Sequence, residues 1–144
     1  MERLPCLCSV SDVEGGCGDA PDNSWSPSDS ELVDTYHVLH KLGNIGMEGE
    51  RLKIDLWLDQ EERIVAFSII QETHHGGFKT VVWAHTANGT AHLRWYNQSA
   101  NEIAGITEVL ETIRRRDDVN DCFERVSEQM HKNWESNKLR WNGG

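Results

Sequence analysis

Val82-Trp83-Ala84-His85-Thr86-Ala87-Asn88-Gly89-Thr90-Ala91-His92-Leu93-Arg94-Trp95-Tyr96 reads as two strands folded back on each other around Asn88-Gly89. A two-residue type I′ loop needs positive φ at both central positions, which Asn and Gly adopt at least cost. Such a loop sets the register. Ala87 pairs with Thr90, Thr86 with Ala91, His85 with His92, Ala84 with Leu93 and Trp83 with Arg94. Side chains alternate along a strand. Val82, Ala84, Leu93 and Trp95 therefore share one apolar face, which should meet helices. Trp83, His85, His92, Arg94 and Tyr96 share the other, with directly opposed Cβ atoms roughly 4.5–5.5 Å apart.

Working outward, the same period of two continues upstream. Leu52, Ile54, Leu56 and Leu58 alternate with Lys53, Asp55, Trp57 and Asp59, the pattern of a half-buried strand. Gln60-Glu61-Glu62 turns the chain. Residues 64–71 are apolar at nearly every position, which suits a central strand covered on both faces. His74-His75-Gly76-Gly77 forms the next turn, and a further strand runs from Phe78 to His85. Consecutive strands with short links make an antiparallel meander of at least four strands over about 51–96.

The flanks read as helical. Ser28-Asp29-Ser30-Glu31 resembles a capping box, Leu32, Tyr36 and Leu39 follow at helical spacing, and Gly43 suits a stop. This predicts a helix over about 29–41, with a strand through Tyr36 and Val38 as the alternative. Ile106, Val109, Leu110 and Ile113 form a second helical stripe within Ala100–Arg116, ending in three arginines that suit a helix C-terminus. Asp117 or Asp118 can cap a third helix, whose apolar face is Val119, Phe123, Val126, Met130 and Trp134. The expected fold class is α+β: an antiparallel β-meander with C-terminal helices packed on one face. It occupies 28–144 after an irregular acidic arm, 1–27, that Trp25 pins to the body.

The 144 residues suffice for one domain. The net charge of −10 is uneven: residues 1–50 hold ten acids and two bases, −8, and residues 51–100 hold five of each. An acidic flank repels phosphate backbones and disfavours broad nucleic-acid binding, leaving only the His85/His92 face for such a ligand. No apolar run approaches membrane-span length, and the N-terminus lacks a signal-peptide layout, so a cytoplasmic protein is expected. Cys6, Cys8 and Cys17 cluster near the start. Their C-x-C-x8-C spacing fits no standard zinc signature, so free thiols are weighed against a zinc site.

The hairpin's polar face carries the candidate chemistry. His85 and His92 could divide acid and base roles, Arg94 could hold a phosphate or carboxylate, and Tyr96 and Trp83 could stack on a base or sugar. The two histidines could instead hold a metal, completed by Glu72 or water. The plainer reading is a polar outer face, with Trp83 over Arg94 as a cation–π pair. His37, His40, His74, His75 and His131 are scattered.

The stretch Val82–Arg94, together with Met130-His131-Lys132-Asn133-Trp134-Glu135, resembles short bacterial and archaeal proteins of the TumE toxin type and related small domains. The likeness spans about 50–140 and implies the fold, with a ribonuclease activity at the histidine face. Thr86 stands where that pattern has aspartate, and Arg94 where it has a second histidine.

Three functions follow as expectations. The leading one is a small acidic, non-enzymatic interaction protein that binds a basic protein partner, using Asp29, Glu31 and Asp34 of the acidic third and Trp83. The alternatives are a toxin-like ribonuclease using His85, His92, Arg94 and Tyr96, and a metal-binding domain.

Overall fold

The computed structural model describes residues 22–43, 49–98 and 103–143, with only the backbone described for Asp29 and 103–106. A short 3-10 turn, Asp29–Glu31, precedes six strands: β1 (Asp34–Lys41), β2 (Glu50–Leu58), β3 (Ile64–His74), β4 (Phe78–Ala87), β5 (Thr90–Tyr96) and β6 (Ile103–Thr112). One helix, α1 (Arg116–Gly143), ends the chain. The strands form one sheet in sequence order, each neighbouring pair antiparallel. This is the expected α+β meander.

The hairpin forms as its turn requires. Asn88 and Gly89 take φ of 49° and 77°, and the register opposes His85 to His92 and Trp83 to Arg94. β3 is central, with Val65, Ala66, Phe67 and Ile69 all buried. Leu52, Ile54, Phe67, Ile69, Val82 and Ala84 supply the sheet side of the core, and Val119, Cys122, Val126 and Met130 supply the helix side. Burying such side chains is worth roughly 1.5–3 kcal/mol each. The buried Gln71 amide is satisfied by α1: Gln71 Nε2 donates to Trp134 O at 2.9 Å, and Asn137 Nδ2 donates to Gln71 Oε1 at 3.1 Å. Trp25 does pin its segment, donating its N–H to Ile113 O at 2.7 Å and packing on the core.

Two elements differ from the sequence reading. The capping box forms, with Ser28 N–H donating to Glu31 Oε1, but it closes only the 3-10 turn. The expected helix over 29–41 is instead β1, the alternative reading, paired along its whole length with β2. The expected helix over 100–116 is β6, paired with β5. Both segments carry β-branched residues (Thr35 and Val38; Ile103, Ile106, Thr107 and Val109), which favour the pleat. A short amphipathic stripe gains little as a helix without a face to bury, whereas a free sheet edge offers a whole ladder of hydrogen bonds. The helices covering the sheet are accordingly one helix of 28 residues.

Candidate functional site

The hairpin brings Trp83, His85, His92 and Arg94 onto the face away from α1, whereas Tyr96 packs against the core and lines a pocket with Trp141 of α1. Trp83 and His85 stack, ring centroids 4.1 Å apart and planes 26° apart, and His85 meets His92 edge-on at 5.6 Å. Trp83 Nε1 donates to Ser68 Oγ at 2.8 Å, across the ladder on β3. Trp83 thus pairs with His85 rather than forming the cation–π pair with Arg94. The Thr90 hydroxyl has one proton, which it gives to Ala87 O at 3.0 Å. Its oxygen therefore accepts from His92 Nε2–H at 2.8 Å, which makes neutral His92 the Nε2–H tautomer.

This face is not open to solvent, which corrects the expectation of exposed histidines. His85 and Arg94 have no accessible surface and His92 has 3%. Trp83 and Tyr96 are half-buried. Burial, then the charge field of His92 and Arg94, pushes His85 down to about 3. Burial and Arg94 lower His92 in the same direction. Both imidazoles are neutral at physiological pH. A general acid–base pair titrates near its working pH and touches its substrate; His85, at about 3 and without accessible surface, stands far from that condition.

Among the described residues, no group of three or more His, Cys, Asp or Glu side chains stands close enough to hold a metal ion. Glu72, considered as a third ligand, accepts from Arg51 Nε at 2.7 Å. Burial pushes the Cys122 thiol up to about 12, so it stays protonated. Cys6, Cys8 and Cys17 lie outside the described residues.

The acidic set does not form one patch. Glu31 is committed within the molecule: its carboxylate is held below the usual range by the Ser28 N–H, and it pairs with the Arg116 guanidinium. Asp34 is exposed at the start of β1 and accepts from Thr35 N–H at 2.9 Å. The side chain of Asp29 is outside the description.

A second candidate lies where a helix was expected. All eight residues of β1 are exposed, and among the described residues β1 is an outer strand paired with β2 alone. Its ladder fixes which groups face outward. Leu42 N–H donates to Glu50 O at 3.0 Å, continuing the register in which Lys41 faces Arg51. Hydrogen-bonded and non-bonded pairs alternate in an antiparallel ladder. His40, Val38 and Tyr36 therefore exchange bonds with β2, while Thr35, His37, Leu39 and Lys41 turn their N–H and C=O groups to the open edge. Of the seven exposed large hydrophobic residues among those described, four are Val33, Tyr36, Val38 and Leu39. The helical reading hid this site; the alternation of Tyr36, Val38 and His40 was the signal for it. The opposite edge, β6, carries the acidic Glu108 and Glu111, a pattern that discourages strand addition.

Among the described residues no helix is long and apolar enough to cross a membrane. The chain matches no protein-family model, no curated protein and no solved structure.

Proposed function

We propose that this chain is a protein-interaction module that takes up an extended segment of a basic protein partner along β1. The carrying observation is the concentration of exposed apolar side chains on an outer strand whose backbone groups are unused on one side. An exposed edge of this kind is a template for strand addition: main-chain bonds supply affinity, and alternate side chains supply selectivity. The net charge of −10 draws a basic segment toward the surface, and Asp34 and Asp55 stand beside the edge. The ribonuclease reading asks a substrate to reach His85, His92 and Arg94, which solvent does not reach, and so finds less support.

The test is binding of labelled peptides that alternate valine or threonine with lysine, followed by fluorescence anisotropy. Binding is expected to weaken as salt rises and to disappear in Leu39→Pro, which removes an outward N–H without touching the ladder to β2. Equal binding by Leu39→Pro, or none by the native chain, would contradict the proposal.

A further inference from the structure

We infer that β1 also pairs with β1 of a second copy, joining two six-stranded sheets into one of twelve strands. The inference rests on the strand-addition reading above and names one occupant of the same edge.

Symmetry limits how two such edges can meet. A two-fold axis joining them antiparallel runs perpendicular to the sheet and keeps the α1-covered faces on one side. Opposed residues must then share a face, so the two residue numbers of each pair add to an even total. Outward groups must also meet outward groups, so Thr35, His37 and Leu39 pair among themselves.

The register centred on His37 satisfies both conditions. It sets His37 against the second copy's His37, Thr35 against its Leu39, and Tyr36 against its Val38. An aromatic beside a β-branched residue is a favourable cross-strand pair. Asp34 then faces the second copy's His40, and the same contact repeats at the other end. The strand is acidic at its start and basic at its end, DTYHVLHK. Antiparallel self-pairing brings those unlike ends together twice. Shifting the centre to Val38 would set Asp34 against Leu42, which is buried, and lose both Asp34–His40 contacts.

One seven-residue strand pair is a small interface, below the roughly 1,200 Å² of stable complexes, so the association is weak and reversible. Two copies at −10 each repel at long range, while β1 itself carries one acid and one lysine. Added salt screens the repulsion more than the contact. Self-association should therefore strengthen with salt, the reverse of basic-peptide binding.

Sedimentation equilibrium of the full chain, from about 10 μM to about 1 mM, spans the range of weak association. The apparent mass is expected to rise from 16.4 kDa toward twice that value, with a larger rise at high salt. Leu39→Pro should remain at the single-chain mass with an unchanged circular dichroism spectrum. A native chain that stays at 16.4 kDa throughout, or a dimer that survives Leu39→Pro, overturns self-pairing. Strand capture would stand through either result if the lysine-bearing peptides still bind the native chain and not the variant. It would fall on its own if they do not, whatever the sedimentation shows.

Discussion

His85 is a neutral imidazole held where water does not reach, and its acid–base behaviour follows from that. Its folded value of about 3 lies below the ordinary 6.5. The unfolded chain takes up a proton first as pH falls from 6.5 toward 3, so stability is complete above 6.5 and is lost through that window. His92, lowered by the same causes, adds to the loss. The slope below pH 6.5 should approach about 1.4 kcal/mol per pH unit from His85, with His92 adding to it in the same direction. Urea midpoints measured from pH 7.5 to 4 check this, and the slope should flatten in His85→Ala. That substitution also opens a void beneath the Trp83 ring, and at neutral pH it should cost about 2 kcal/mol or more. An exposed histidine would cost almost nothing. The pairing of these residues was legible from Asn88-Gly89, because a turn type determines register. Their burial was not, because alternation tells which face a side chain takes and not whether that face is covered.

At the scale of elements, the hairpin turn and the helix seam make separate demands. A Cβ at Gly89 would stand 2.4 Å from Ser24 Oγ and 2.5 Å from Ser24 Cβ, at a φ of 77° that L-residues rarely adopt. Gly89→Ala should destabilise by about 1–3 kcal/mol, read as a lowered thermal midpoint. On the helix seam, Met130 is buried against the sheet, and Met130→Ala should cost about 2–5 kcal/mol in urea unfolding, whereas the exposed Leu139→Ala should change little. The strands from Leu52 to Tyr96 and the apolar face of α1 were legible because their periods, two and 3.6, are long and uninterrupted. β1 and β6 were not. Leu32, Tyr36 and Leu39, like Ile106, Val109, Leu110 and Ile113, also fit a helical stripe. What decides between the two is an available neighbour, β2 for one and β5 for the other, and a local window does not contain it. The candidate site was missed for the same reason: Tyr36, Val38 and Leu39 become an exposed edge only once 34–41 is a strand.

For the whole molecule, the sheet has a covered and an uncovered boundary. α1 closes one face over β3–β5, and the histidine face is withdrawn from solvent. β1 remains outermost, with apolar side chains and half its backbone groups turned outward. On the strand-addition reading, this edge is open in the single chain and is filled by an added strand. Residue-by-residue amide hydrogen exchange across β1 tests it most directly. In dilute protein, Tyr36, Val38 and His40 should be protected by β2, and Thr35, His37 and Leu39 should exchange fast. Adding the lysine-bearing peptide, or concentrating the protein, should slow that second set while leaving the first unchanged. Protection of Thr35, His37 and Leu39 in the dilute single chain, or no slowing on either addition, would contradict the account.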